Sequence, residues 1–193
     1  MLKRICAFLL VLFLPITAFA APISVSAQSA IVINSADNSV IYSKNAYSSM
    51  PMASTTKIMT CVLACESTRL NDAVVITNEM LAGTEGSLIY LKPDDKITLY
   101  DLAVAAMLAS GNDAANAVAF CLSGSIADFV ALMNKKARSI GMKNTFFVPP
   151  SGLDEKNHHS TAYVICNDKQ LLCRNLHIEI GTNHNQRQKA NGL

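Results

Sequence analysis

The stretch PMASTTKIMT (residues 51–60) places Ser54 three residues ahead of Lys57, with apolar side chains close behind. Two readings of it lead to different proteins. In one, Ser54 is a helix N-cap and Lys57 a solvated residue of the first turn. In the other, Ser54 is a nucleophile and Lys57 its base. Spacing alone does not decide, because 17 serines and 11 lysines in 193 residues give about one Ser-x-x-Lys by chance. Chance gives about one Ser-x-Asn as well, and SKN at 43–45 is such a decoy.

Context favours the second reading. Ser54 to Glu66 is expected to form a helix with an apolar stripe at Ile58, Cys61, Val62 and Cys65. At its start, residues i and i+3 share a face, so Ser54 Oγ and Lys57 Nζ can meet. A helix N-terminus favours negative charge on the serine and disfavours an ammonium beside it. A lysine that acts as base near neutral pH must fall from about 10.4 by roughly 3 pH units, which desolvation and a cationic neighbour supply. A second motif, Ser110-Gly111-Asn112, sits between two expected helices, where a loop presents a hydroxyl and an amide together to a cleft.

Outward from these motifs the chain reads as one domain. Residues 28–44 form two β-rich runs around Asp37-Asn38, a hairpin signal. Residues 73–77 are a short strand and 83–86 a turn. A Pro-Asp-Asp turn then leads into a helix capped near Thr98, with Asp101 completing an acidic capping box. That helix breaks at 110–113 and resumes over 114–122. A further helix covers 126–140, with Phe129, Leu132, Met133, Lys136 and Ala137 at helical spacing and Gly141 as its C-cap. Residues 144–154, NTFFVPPSGLD, make a rigid turn region. Asp113 and Asp154 read as structural, one capping a helix and the other closing a turn. His158 and His159 precede a helix capped by Ser160 and read as solvent-exposed, not as metal ligands.

The N-terminus reads as a secretory signal peptide. Lys3 and Arg4 precede an apolar run from Ile5 to Leu14, too short to cross a bilayer comfortably. Ala18-Phe19-Ala20 supplies a small-x-small cleavage site, so residues 1–20 are expected to be removed. The mature chain would carry fourteen basic and fourteen acidic residues, which argues against nucleic acid as a partner. Five cysteines would remain, and an odd number in an exported chain is not a disulfide framework. Cys61 and Cys65 lack a second ligand pair and read as small buried apolar residues.

These motifs together resemble a known family. PMASTTKIMT, SGNDAANAVA (110–119), FVALMNKKARSIGMKNTFFVPPSGLD (129–154) and HHSTAY (158–163) are similar to the serine D-alanyl-D-alanine carboxypeptidases, the low-molecular-mass penicillin-binding proteins. AIVINSADNSVIYSKNA (30–46) resembles their opening hairpin. The resemblance implies an α+β, β-lactamase/transpeptidase-like fold, with a five-stranded antiparallel sheet against a helical subdomain and the active site between them. It implies Ser54 as acylated nucleophile, Lys57 as general base, Ser110 as proton relay, and Asn112 as the amide that holds the substrate's peptide group. The substrate would be a peptidoglycan stem peptide ending in D-Ala-D-Ala, and β-lactam antibiotics would acylate the same serine. No metal and no cofactor is implied. The expected location is the bacterial cell envelope, with a membrane surface as a further partner but no anchor in the chain. Class A β-lactamases share the layout, but no counterpart of their deacylating glutamate is found.

After Tyr163 the likeness is expected to stop. Residues 21–193 would then be an incomplete catalytic domain, lacking its C-terminal strands and ending just before the family's Lys-Thr-Gly motif. Residues 164–181 read as a shifted frame: codons for Cys166 to Gln170, read one base later, allow Ala-Met-Ile-Ser, a continuation of the family helix. A missing Lys-Thr-Gly strand would remove one oxyanion-hole donor, worth about 10²–10³ in rate. Two alternatives to a working carboxypeptidase follow, a catalytically dead remnant with at most a binding role, and a β-lactamase.

Overall fold

The computed structural model describes residues 23–166. The basic start, the apolar run and the Ala18-Phe19-Ala20 site lie outside the described residues, as does the tail beyond Cys166.

The hairpin signal at 28–44 is realised as β1 (Ala30–Ile33) and β2 (Val40–Lys44), antiparallel with Ala30 opposite Lys44 and Val32 opposite Tyr42. Short polar side chains shape its turn. Asp37 Oδ1 accepts from Ser39 N at 2.9 Å, Asn34 Oδ1 accepts from Ala36 N at 3.0 Å, and Asn38 takes φ 60°. Asn and Asp tolerate these conformations because their side chains mimic a backbone turn. The register shifts between Val32 and Ile33, a bulge that twists the ribbon.

A 3-10 turn over Ala53–Thr56 runs directly into α1 (Lys57–Glu66). The helix expected from Ser54 therefore becomes regular only at Lys57. The expected apolar stripe was also too narrow, because Lys57, Met59, Thr60, Cys61, Val62, Leu63 and Ala64 are all buried. A helix covered on most of its circumference shows no clean polar face.

The short strand at 73–77 is β3 (Ala73–Val75), which pairs antiparallel with β4 (Lys96–Thr98). Between them lies the single-turn helix α2 (Asn78–Leu81). β4 had no clear signal, since three residues cannot show an alternation. The Thr98 cap is as expected: Thr98 Oγ1 accepts from Asp101 N at 3.1 Å and donates to Asp101 Oδ2 at 2.7 Å. It opens α3 (Leu99–Leu108), which breaks over 109–111 and is followed by α4 (Asn112–Ser123).

α5 (Ile126–Ser139) ends as its sequence indicates. Gly141, at φ 78°, donates to Arg138 O at 3.2 Å, and Met142 N donates to Ala137 O at 2.9 Å. That pair of bonds is a Schellman motif, with Met142 and Ala137 both buried beneath it.

The core lies where α1, α3, α4 and α5 meet. Ala114, Ala115, Ala117, Val118 and Ala119 of α4 are fully buried, as are Leu99, Leu102 and Ala106 of α3, and Phe129 and Met133 of α5 are too. Alanines let the helix axes approach closely, while Phe129, Met133 and Met59 fill the gaps. Among the described residues the strands form two separate two-stranded ribbons rather than a five-stranded sheet. Helices around one core with antiparallel ribbons beside them make the architecture α+β.

Segment 144–160 closes the structure from below. Phe146 pairs with His159, and Ser160 pairs with Met50 through bonds of 2.8 and 3.0 Å. Asn134 of α5 clamps Phe147 from both sides, donating to its carbonyl at 2.8 Å and accepting from its amide at 2.9 Å.

Candidate active site

Ser54 stands exposed on the 3-10 turn, and Lys57, three residues on, is only 1% exposed. Lys57 Nζ lies 3.3 Å from Ser54 Oγ and donates to the carbonyl of Ser151 at 2.6 Å. Burial lowers the Lys57 pKa, and the nearby Cys61 opposes that fall. Among the described residues the ion pairs are Arg69–Asp72 and Lys136–Glu66, so no carboxylate holds Lys57 charged. Desolvation without a counter-charge favours the neutral amine.

The break between α3 and α4 brings the second motif to the first. Ser110 takes φ 56°, and its Oγ donates to Ser54 Oγ at 2.8 Å. Ser54 Oγ is thus flanked by the Lys57 amine and the Ser110 hydroxyl. Asn112 is 6% exposed, and its Nδ2 donates to Glu85 O at 2.6 Å, while its backbone N donates to Ser87 O at 2.8 Å. The Nδ2 bond fixes the orientation of the amide and leaves Oδ1 as the acceptor it offers. The decoy Ser43 is an exposed residue of β2.

Asp113 is structural, as expected, but by a different contact. The helix N-cap is Gly111. Asp113, 2% exposed, accepts from Ile89 N and Leu91 N at 3.1 Å each and from Ala114 N at 2.9 Å. It therefore binds the loop at 85–91 to the base of α4. Between those two amides Tyr90 sits at φ 63° with its side chain 78% exposed. Ala53 (φ 46°), Ser110 and Tyr90 are all non-glycine residues in the left-handed region. Such strain persists only where the surroundings impose it, and it gathers at functional sites.

The rigid turn region supplies the floor. Thr60 Oγ1 donates to Pro150 O at 2.7 Å, beside the Ser151 carbonyl that receives Lys57. Gly152 has φ 86°, and a Cβ there would overlap the Ala53 carbonyl and lie 2.8 Å from Thr56 Oγ1. Only glycine allows the chain to pass this close beneath the turn that carries Ser54.

His158 corrects an expectation. It is 4% exposed, not solvated, with Nε2 2.7 Å from Thr56 Oγ1 and Nδ1 accepting from Val148 N at 3.1 Å. The bridges at Phe146–His159 and Met50–Ser160 draw it inward. Ser160 is not the cap either. Thr161 Oγ1 accepts from Val164 N at 3.2 Å, and Ser160 Oγ pairs with Thr145 Oγ1 at 2.8 Å. Cys61 is buried, its thiol donates to Ala103 O at 3.4 Å, and burial pushes its pKa up to about 12. That marks it as an inert packing residue.

The Ser151 carbonyl, Thr60 and Gly152 were not singled out by sequence reasoning. Ser151 and Gly152 lie nearly a hundred residues from the serine, and only the Pro-Pro-Ser-Gly punctuation gave a local hint.

Known proteins carry the same arrangement of chain. The family profile described as D-alanyl-D-alanine carboxypeptidase matches residues 16–191, beyond both ends of the stretch where the likeness was first evident. D-alanyl-D-alanine carboxypeptidase DacF of Bacillus subtilis is 42% identical over 142 residues, covering 71% of this chain and 36% of its own. DacC of Escherichia coli is 36% identical over 170 residues, covering 79% and 42%. Penicillin binding protein 5 from Haemophilus influenzae superposes with a TM-score of 0.77 at 27% identity, covering 81% of this chain and 48% of that one. The chain thus spans less than half the length of these relatives. With the family's profile along most of its length and a β-lactamase/transpeptidase-like fold to match, this chain belongs to the D-alanyl-D-alanine carboxypeptidase family.

Proposed function

We propose that the chain acts as a serine carboxypeptidase, removing the terminal D-alanine from peptidoglycan stem peptides through an acyl-enzyme on Ser54. The observation that carries this reading is the pair of contacts at Ser54 Oγ: Lys57 Nζ at 3.3 Å and Ser110 Oγ at 2.8 Å.

In the working state Lys57 is neutral and its lone pair faces the Ser54 hydroxyl. Ser54 Oγ attacks the carbonyl carbon between the two D-alanines while its proton passes to Lys57 Nζ. The proton then moves through the Ser110 hydroxyl to the leaving nitrogen as the C–N bond breaks, and free D-alanine departs. Water then attacks the ester carbonyl and gives a proton to Lys57, which returns it to Ser54 Oγ as the acyl C–O bond breaks and the shortened peptide leaves. Asn112, with Nδ2 held by Glu85 O, presents Oδ1 to an N–H of the bound peptide. A β-lactam places its strained amide where the scissile bond would lie and acylates Ser54 in the same way.

The purified chain, treated with a fluorescent penicillin, should gain a covalent adduct that peptide mass spectrometry maps to Ser54. Ser54→Ala should abolish it. Absence of any adduct on folded wild-type protein would overturn the reading and favour a non-catalytic role. Rapid release of hydrolysed drug would indicate a β-lactamase instead.

A peptidoglycan substrate implies work in the cell envelope, and hence export. Lys3-Arg4, the apolar run to Leu14 and Ala18-Phe19-Ala20 support export with cleavage after Ala20. Cell fractionation with N-terminal sequencing should find a mature chain beginning at Ala21 outside the cytoplasm. An uncleaved cytoplasmic product would refute export.

A further inference from the structure

We propose that His158 is a positioning residue for the Ser54–Lys57 turn, holding it through Thr56 only while its imidazole is neutral with hydrogen on Nε2. This rests on the reading of Ser54 as the acylated nucleophile.

The tautomer follows from the partners. Val148 N–H points at Nδ1 from 3.1 Å, so Nδ1 must offer a lone pair. Nε2 then carries the hydrogen and donates it to Thr56 Oγ1 at 2.7 Å. Thr56 is 1% exposed and lies between the nucleophile and its base in the chain, with Gly152 packed against its hydroxyl side. The ring is walled by Phe147, whose centroid is 6.2 Å away. His158 thus joins three pieces, the nucleophile turn, the strand-like stretch at 146–148, and its own loop.

Protonation breaks this arrangement. A hydrogen on Nδ1 would face the Val148 N–H, donor against donor, and one of them must withdraw. The ring cannot turn without releasing Thr56. Burial lowers the His158 pKa; Asp154 opposes this and His159 adds to it. On the facing turn the titratable group is Lys57, and stretch 146–148 contributes none. The folded protein therefore binds fewer protons than the unfolded chain below about pH 6.5, the ordinary histidine value. Stability, and with it the placement of Ser54, should fall as pH drops through that window.

The test compares acylation rates of the full chain by a fluorescent penicillin between about pH 5 and 8, the range in which histidine titrates. His158→Ala and Thr56→Val should slow acylation about tenfold even at the upper end, the loss expected for one well-placed hydrogen bond. His158→Gln keeps an N–H near the Nε2 position and does not titrate. It should restore most of the rate lost in His158→Ala and shed the part of the acid limb that Lys57 does not cause. An unchanged acid limb in His158→Gln, or a wild-type rate in His158→Ala, would overturn the proposal. Nitrogen-15 spectra of wild type provide a readout independent of activity and of how well the variants fold. They should show hydrogen on Nε2, and the Thr56 and Lys57 amides should titrate together with His158. Hydrogen on Nδ1, or a Thr56 amide indifferent to that titration, would overturn it. If wild type is never acylated, the reading of Ser54 falls, and the spectra still decide the role of His158.

Discussion

Lys57 Nζ donates to the carbonyl of Ser151 at 2.6 Å, across 94 residues of chain, and in doing so is held 3.3 Å from Ser54 Oγ. One acceptor anchors the amine and leaves its remaining valences for the serine. Because the anchor is a neutral carbonyl, it steers the lysine without restoring the charge that burial disfavours.

That relationship sets a pH dependence. Lys57 has a folded pKa below its unfolded value of about 10.4. Between the two values the unfolded chain binds more protons, so stability should rise with pH across that window. Lys57→Met should flatten the rise, as chemical denaturation at several pH values between neutral and about 10 would reveal. The same variant should show no acylation at any pH.

Ser110 links activity and stability with opposite signs. Its left-handed backbone costs about 1–2 kcal/mol in a non-glycine residue. Ser110→Gly should therefore stabilise the fold by about 0.5–1 kcal/mol while slowing acylation about 10²-fold through loss of the relay hydroxyl. Thermal unfolding and penicillin acylation on the same preparation would check both. A Ser110→Gly variant that acylates at the wild-type rate would remove Ser110 from the mechanism.

Gly152 should not accept a side chain. Gly152→Ala forces a Cβ onto the Ala53 carbonyl at φ 86° and should cost about 2 kcal/mol or more. Gly83 provides the control, since it shares a positive φ of 67° but has open space around it. Gly83→Ala should cost only about 1 kcal/mol and leave acylation intact. Urea melts of the two variants would separate backbone strain from the clash.

Asp113 holds the loop that carries Glu85 and Tyr90 against Asn112. Asp113→Ala should cost about 2–4 kcal/mol, since the buried carboxylate's bonds to the Ile89, Leu91 and Ala114 amides are all lost. Hydrogen exchange should accelerate selectively at the Ile89 and Leu91 amides. Uniform acceleration across the core would instead mean that Asp113 supports the fold as a whole.

Much of this protein follows from local chemistry. The hairpin turn rests on the side chains of Asn34 and Asp37 as turn partners and on the left-handed backbone of Asn38, the start of α3 on Thr98 and Asp101, and the end of α5 on Gly141. Each such device acts within about six residues, so it is legible in the sequence. The paired serine and lysine are legible for the same reason, because a helical turn brings i and i+3 together whatever surrounds them. Tertiary structure alone decided what surrounds that pair. The Ser151 carbonyl, the Gly152 backbone beneath Ala53, the Asp113 clamp on the loop at 85–91, and the burial of His158 all join residues distant in the chain. Their positions depend on how α1, α4 and segment 144–160 pack. His158 was expected in solvent because nothing within its own loop covers it, and the Met50–Ser160 and Phe146–His159 bridges that draw it in have no local signature. Periodicity reports which face of an element is covered, but not by what, and here the burial that lowers the Lys57 pKa comes from groups distant in the chain.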